Sequence, residues 1–411
     1  MTANSRRATH RSPVIAPAGP QDTVDGVQAS YLAKPREAQE LVELMREAAE
    51  REETVVARGG GTKLDWGLPP SRADLLVDLS EMNHVLEHSA GDLIVRTEPG
   101  VRLSELQTLL ARSGQRLAID EVVPGSTIGG VVATGLCGPL RLAYGCVRDL
   151  LIGVRVVRAD GVSAKSGGKV VKNVAGYDLG KLYTGSYGTL GIVTEAVFRL
   201  HPVPESRAWV TTEVSSDDEV VRAIAAVTSS RIVPAALEID RPATGAPTEL
   251  SVLVEGVAVG VERRGEEVAR LLGGEVTISP SPPSWWAALP GATTVKIATT
   301  VSELPAVLSA IGERGSSRGA EPSLRGSAAL GLLYVGLAME AEPKAVAAFV
   351  TDMRVMCERV GGSAIVLRAP ARVKEAVEVW GPVGSIDLMR RVKDNFDPTH
   401  RLAPGRFVGG I

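Results

Sequence analysis

Gly59, Gly60 and Gly61 in ARGGGTKLDWG (Ala57 to Gly67), and Gly125, Gly129 and Gly130 in PGSTIGGVVATG (Pro124 to Gly135), lie in two turns that each follow a strand-like apolar run. Glycine has no Cβ and tolerates positive φ, so clustered glycines at turns let main-chain N–H groups touch an anionic ligand. Around them stand donors suited to phosphate oxygens: Arg58, Thr62 and Lys63 in the first turn, Ser126 and Thr127 in the second. Neither turn matches a common phosphate motif. A Rossmann fingerprint opening at Gly59 would need glycine where Leu64 stands, and the Walker pattern fails because Val131-Val132 replaces Lys-Ser/Thr after Gly130. Two loops closing on one ligand suit a dinucleotide pyrophosphate, although two tight turns beside a sheet would leave the same glycine pattern.

The elements that must hold these turns follow from periodicity. Ala38, Leu41, Val42, Met45, Ala48 and Ala49 form one helical stripe between Arg36 and Arg51, followed by a strand from Thr54 to Ala57 that enters the first turn. Further strands are expected at Leu75 to Leu79, Leu93 to Thr97, Leu150 to Ala159 and Leu190 to Leu200. A helix is expected over Leu103 to Arg112, and a hairpin turn at Asp160-Gly161. After Arg207 the order becomes strand (Ala208 to Val214), helix (Asp217 to Thr228), strand (Ala235 to Ile239), strand (Leu250 to Glu255), helix (Val259 to Leu272), strand (Glu275 to Ile278). That is the order of a ferredoxin-like unit. Alternation resumes from Thr293 to Leu367 through a helix at Lys344 to Val360, so an antiparallel sheet covered by helices on one face is expected. The resulting division is a mobile tail over residues 1–24, a cofactor domain over 25–204, an α+β cap over 205–384, and a segment over 385–411 that returns to the cofactor domain.

With 411 residues, 44% hydrophobic and 23% charged, the chain has ample material for two cores. A formal net charge of −3 leaves no basic surplus for nucleic acid. No run approaches the roughly 20 apolar residues of a spanning helix, and the opening lacks a secretory apolar core, which points to a cytoplasmic protein without an integral membrane segment. Cys137, Cys146 and Cys357 are too few and too widely spaced for a disulfide framework or an iron–sulfur set, and are expected as reduced thiols.

The order RGGGTKLDWG, PGSTIGGVVATG, YGCVRDLLIGVRVVRADG, GSYGTLGIVTEAVFRLHP and NFDPTHRLAPGRF resembles the FAD-linked oxidases of the vanillyl-alcohol oxidase type, over nearly the whole chain after Asp25. GGKVVKNVAGYDLGKLYTGSYGTLG, from Gly167 to Gly191, is most similar to the FAD-binding subunit of bacterial glycolate oxidase complexes. The resemblance implies an FAD-binding fold of the PCMH type with a ferredoxin-like cap. It places the FAD pyrophosphate between Arg58, Gly59, Gly60, Gly61, Thr62 and Lys63 on one side and Pro124, Gly125, Ser126, Thr127, Gly129 and Gly130 on the other. It sets Ala133, Thr134 and Gly135, with the chain as far as Gly138, beside the isoalloxazine or ribityl chain. Gly188, Gly191, Ile192 and Val193 would meet the adenosine, and Tyr144, Arg148 and Asp149 would support the site from behind. With neither His nor Cys between Arg58 and Lys63 or between Pro124 and Gly130, the implied FAD is non-covalent.

The implied activity is oxidation of a 2-hydroxy acid, with electrons passing through flavin to a second FAD subunit and an iron–sulfur subunit. A self-sufficient D-lactate or 2-hydroxy-acid dehydrogenase and a flavin-bearing scaffold are the alternatives. Relatives that act alone carry a histidine-rich metal motif in the cap, whereas no histidine occurs here between Arg207 and Asn395, so no metal site is expected and no catalytic residue is assigned. His84-Val85-Leu86-Glu87-His88 spells an inverted zinc-protease motif, but in a strand its histidines stand about 13 Å apart. Lys169, Lys172, Tyr177 and Asp178 could face flavin or substrate or simply the solvent. Arg368 and Arg406 are candidate carboxylate or flavin contacts with surface ion pairs as the alternative, and Trp285 and Trp286 are read as packing residues.

Overall fold

The computed structural model describes residues 15–169 and 176–411. Two sheets carry the glycine turns. In the first, β1 (Ile15–Pro17), β2 (Tyr31–Ala33), β3 (Val55–Arg58) and β4 (Leu75–Asp78) take the order β1-β2-β4-β3, with β4 parallel to both β2 and β3. Helix α1 (Ala38–Glu50) covers it with Leu41, Val42, Leu44, Met45 and Ala48, the stripe set by its apolar spacing. Parallel β3 and β4 are buried aliphatic runs, as a sheet covered on both faces requires. The second sheet is antiparallel, and α2 (Leu103–Ala111) packs on it through Leu103, Leu106 and Leu110. β5 (Val85–Ser89), β6 (Ile94–Thr97), β7 (Leu151–Val157), β8 (Ser163–Gly167) and β9 (Ile192–Arg199) take the order β8-β7-β9-β6-β5, and β7 turns into β8 through Asp160-Gly161.

Residues 15–24 differ from the expected tail. Ile15–Pro17 pairs with β2, and Asp22 is buried against Arg58 at 2.9 Å. Proline and short polar residues hid a stretch stabilised by non-local pairing, which periodicity does not register.

The cap is one eight-stranded antiparallel sheet made of two ferredoxin-like units. The first has β10 (Ser206–Val214), α4 (Asp217–Thr228), β11 (Ala236–Arg241), β12 (Thr248–Gly256), α5 (Ala258–Leu272) and β13 (Val276–Ser279). The second repeats the pattern with β14 (Thr293–Ala298), α6 (Leu304–Arg318), β15 (Ser323–Ser327), β16 (Leu332–Leu337), α7 (Pro343–Arg359) and β17 (Ser363–Arg368). The strand order β13-β10-β12-β11-β15-β16-β14-β17 shows the units joined edge to edge through β11 and β15, where Ile239 faces Gly326. Each unit thereby covers one exposed edge of the other. Strand alternation sends Val210, Leu237, Ile239, Val252, Val295, Leu333 and Val335 to the face under α4 to α7. The other face is free to meet the glycine-turn region.

The last helix, α8 (Ile386–Phe396), and the chain after it return to the first two sheets. Phe396 packs edge-on against Tyr183, Leu402 bridges to Val55, and Lys393, fully buried, donates to the Thr189 and Leu402 carbonyls at 2.8 and 2.9 Å.

Candidate functional site

The two glycine turns do meet. Arg58, Gly59, Gly60, Gly61, Thr62 and Lys63 at the end of β3, with Thr127, Gly130, Ala133 and Thr134 around α3 (Ile128–Thr134), line one cleft of about 490 Å³ including its open mouth. Ala57, Leu64, Tyr187 and Arg406 complete it. Two of the glycines are required by the protein itself. A Cβ on Gly59 would lie 2.2 Å from Thr127 Oγ1, and one on Gly60 would lie 2.4 Å from the Gly125 carbonyl oxygen, so the first turn closes on the second without side chains between them.

Lys63 joins the turns electrostatically. It is 9% exposed, its ammonium donates to Ser126 Oγ at 2.6 Å, and among the described residues it forms no ion pair with a carboxylate. Burial pushes its pKa down to about 8, against a smaller opposing pull from Glu121. A buried ammonium with only hydroxyl partners is costly unless an anion arrives. Thr127 Oγ1 is likewise buried in the cleft without a hydrogen-bond partner. A diphosphate would supply acceptors to both, so the residues present fit that group.

Arg58 behaves differently from expectation. Its guanidinium turns away to ion-pair with Asp22 at 2.9 Å and Asp78 at 2.8 Å, leaving main chain toward the cleft. Of the other expected contacts, Ser126 lies behind Lys63, Gly129 packs against Pro99, Gly125 receives the approach of Gly60, and Pro124 and Gly135 lie outside the lining. Gly188 and Gly191 also stand outside it, while Ile192 and Val193 are buried in β9 opposite Val157 and Val156.

Arg406 is 4% exposed rather than a surface residue. It donates to the Leu64 and Trp66 carbonyls at 2.7 and 2.8 Å, with its Nε unpaired at the cleft. Tyr187, at φ 56°, packs between Trp380 and Phe407. Both come from chain far from the glycines.

The free face of the cap sheet carries a polar patch directed at the segment following the second turn. Lys296, Tyr334, Arg325 and Asp240 are register partners across β14, β16, β15 and β11, so their side chains share one face. Two residues along, Ser327 donates to Glu238. Glu238, Ser327, Arg325 and Tyr334 line a narrow cavity, about 320 Å³ including its open mouth, with Cys137, Gly138, Pro139 and Trp285. Arg325 is committed to Asp240 at 2.7 Å and to the Ala288 carbonyl at 3.2 Å. Glu238 is 5% exposed, and burial pushes its carboxyl up to about 8, with Ser327 opposing and Asp120 adding to the rise. Asp120 is raised to about 6 by burial, and donation from Leu140 N–H is the largest opposing influence. Lys296 is lowered by burial and then by Arg141. Neither Lys296 nor Arg141 forms an ion pair among the described residues. Sequence reasoning missed this patch because its members come from four strands whose pairing was not legible.

Apart from Trp285, the remaining expectations fall away from both cavities. Tyr144 donates to Glu255 at 2.9 Å and accepts from Arg116 at 2.8 Å; Asp149 accepts from Cys146 N–H, and Arg148 is exposed. Arg368 is held by Thr294 and the Gly291 carbonyl. Lys169 pairs with Glu87, Asp178 with Lys181, and Tyr177 is 92% exposed, while Lys172 lies outside the described residues. Trp285 and Trp286 pack, Trp286 against Trp209, as expected. His84 contacts Glu98 and His88 contacts Gln115, and no metal-ligand group occurs among the described residues.

Residues 29–166 match the model of an FAD binding domain, and residues 255–407 match that of the C-terminal domain of FAD linked oxidases. The chain belongs to the FAD-linked oxidases. It is an FAD-dependent oxidoreductase of α+β architecture with a PCMH-type FAD-binding fold. Among these FAD-linked oxidases, an uncharacterized FAD-linked oxidoreductase of Mycobacterium tuberculosis is 30% identical across 92% of this chain and 91% of its own. Glycolate oxidase subunit GlcD of Bacillus subtilis is 35% identical over 51% of this chain, a match spanning 45% of that relative. The solved structure of alkyldihydroxyacetonephosphate synthase superposes with a TM-score of 0.70 at 19% identity, covering 92% of this chain and 76% of the other, which speaks to fold alone.

Proposed function

We propose that the chain is the FAD-binding subunit of a glycolate-oxidase-type complex that oxidises a 2-hydroxy acid and passes electrons to a second FAD subunit and an iron–sulfur subunit. The observation that carries the cofactor side is Lys63, a buried ammonium without a carboxylate, placed where two glycine turns close. In this reading Lys63, Thr127 and the main chain of Gly59 to Thr62 bind the FAD pyrophosphate non-covalently, and Ala133 and Thr134 run beside the ribityl chain. The remaining expected contacts act by shaping the turns. The cofactor domain spans 25–204 with residues 15–24 added to its sheet, the cap spans 205–384, and 385–411 closes back on the cofactor domain.

FAD, when bound, supplies a two-electron acceptor for the substrate carbon. The protein's share is binding and proton handling. Lys296 and Arg141 offer unpaired positive charge to a substrate carboxylate, and Glu238 offers a carboxyl able to exchange a proton with the substrate hydroxyl. The polar groups Glu238, Arg325, Ser327 and Tyr334 in the lining of this cavity support an enzyme over a scaffold, for which a closed, wholly apolar space would be expected. Its three unpaired cysteines fit a cytoplasmic setting. No helix among the described residues is long and apolar enough to cross a membrane.

Anaerobic mixing of the FAD-loaded chain with glycolate or D-lactate tests the assignment. Flavin absorbance is expected to persist with the isolated chain and to bleach once partner subunits are added. Bleaching by the chain alone overturns partner dependence in favour of a self-sufficient dehydrogenase. No bleaching in either case with any 2-hydroxy acid favours the scaffold.

A further inference from the structure

A cavity of about 790 Å³, including its open mouth, lies where the cofactor domain meets the cap, and it shares no lining residue with the FAD cleft or the Glu238 cavity. Domain junctions are common places for small-molecule sites, whose volumes run from roughly 300 to 1,000 Å³. Strand register sets the cap wall. Arg207 and Trp209 on β10 stand opposite Glu255 and Leu253 on β12, two residues apart on each strand, so all four side chains share the free face of the cap sheet. Trp286 meets Trp209 edge-on, with ring centroids 6.0 Å apart. The cofactor domain supplies Ala111 at the end of α2, Leu117, Asp120 and Leu140. The linker between the domains supplies Val203, whose N–H donates to the Gly114 carbonyl at 2.8 Å.

The lining holds two guanidiniums and two carboxyls, and they are not equally engaged. Glu255 accepts from Arg116 through both oxygens, at 2.9 and 2.5 Å, and from Tyr144 at 2.9 Å, with Arg207 Nε 3.0 Å away. Arg116 commits both terminal nitrogens to Glu255 and Tyr144. The two terminal nitrogens of Arg207, by contrast, have no partner among the described residues. Asp120 accepts from Leu140 N–H at 2.8 Å, forms no ion pair among the described residues, and keeps part of its surface open. A free guanidinium fork suits a carboxylate, a deep carboxyl without a cation suits an ammonium, and a corner of two indoles suits a ring. With both carboxyls ionised the four charges cancel, so a ligand without net charge leaves no excess behind.

We propose that this cavity binds a free aromatic amino acid as its zwitterion, with the carboxylate on Arg207, the ammonium on Asp120 and the ring against Trp209 and Trp286. The site is distinct from the Glu238 cavity: Gly138 and Pro139 line that one, and Leu140 lines this one, so the chain itself runs between them. No bond is made or broken in it. The ligand touches the cofactor domain and the cap at once, beside the linker, and so favours the state in which they are joined. This stands whatever the substrate of the flavin is.

Calorimetric titration of the FAD-loaded full chain with L-phenylalanine tests the proposal. Saturable binding at one site per chain is expected, with an unfolding temperature that rises as phenylalanine is added. L-alanine, hydrocinnamate and phenethylamine lack the ring, the ammonium and the carboxylate in turn, and each is expected to bind at least about tenfold more weakly. Arg207→Met should weaken L-phenylalanine by about tenfold and leave phenethylamine, which has no carboxylate, unchanged. Ala111 is exposed and lines the cavity, so Ala111→Trp should block L-phenylalanine without altering FAD content or urea unfolding. No saturable binding in the millimolar range, equal affinity for phenethylamine and L-phenylalanine, or binding that survives both Arg207→Met and Ala111→Trp overturns the proposal.

Discussion

The Lys63 ammonium donates to Ser126 Oγ across 2.6 Å, and this bond ties the first glycine turn to the second. It also holds a cation in a buried cleft beside Thr127 Oγ1, which has no partner of its own. The turns are thus positioned by a donor whose charge the protein does not neutralise.

Replacing Lys63 by Met is expected to weaken FAD binding by roughly tenfold to a hundredfold, the range of about 1.5–3 kcal/mol for a hydrogen bond to a charged group. The pH dependence has a definite sign. Burial lowers the Lys63 pKa from 10.5 to about 8 in the free protein, while a bound diphosphate favours the protonated form. The complex therefore holds a proton that the free protein releases above pH 8, and affinity falls as pH rises through 8, by at most about tenfold per unit for one proton. Titrations of flavin fluorescence at pH 7, 8 and 9 should show this slope in wild type and its absence in Lys63→Met.

Gly60→Val places Cβ against the Gly125 carbonyl and separates the turns. Loss of FAD retention is expected, together with a drop in apoprotein stability of about 1–3 kcal/mol from overpacking. Thr127→Val removes only a hydroxyl that has no protein partner, so it should reduce FAD affinity and leave apoprotein denaturation unchanged. Equilibrium urea unfolding of the two apoproteins separates the roles.

Much of the scaffold was legible because it is written in local periodicity. The α1 stripe, the hairpin at Asp160-Gly161 and the first ferredoxin-like unit all follow from short-range pattern. The turns were legible because glycine clusters have few structural uses. Tyr187 was not legible as a cleft residue and Arg406 only as a candidate flavin or carboxylate contact, since only tertiary closure brings residues 57–64 to meet them. Arg58 was legible as a residue but not as a side chain, because its partner Asp22 lay in a stretch without periodicity. Alternation assigns Glu238 and Lys296 to a sheet face, but only strand order shows that both share the face opposite Cys137.

The return of the C-terminal segment rests on Lys393, which meets Asp397 at 2.7 Å with both side chains fully buried. Lys393→Ala strands the Asp397 carboxylate and two carbonyls, and about 3–5 kcal/mol of stability is expected to be lost. Denaturant unfolding followed by Trp fluorescence measures it. A loss below about 1 kcal/mol, the range of exposed pairs, would show that the segment is not docked as described.

Glu238 gives the cap a pH signature. Its carboxyl is raised from 4.5 to about 8, chiefly by burial, so between those values the unfolded chain has released a proton that the folded chain keeps. The folded state binds more protons there, and stability attributable to Glu238 must decline as pH rises from about 5 toward 8 and level off above it. Glu238→Gln has no proton to lose and keeps an oxygen able to accept from Ser327, so its stability should lack this decline and exceed wild type most near pH 8. Urea unfolding of both proteins at pH 5.5, 6.5, 7.5 and 8.5 decides the matter: parallel profiles would mean that Glu238 is ionised throughout, and a carboxylate already ionised at pH 5.5 could not hold the proton assigned to it in the cap cavity.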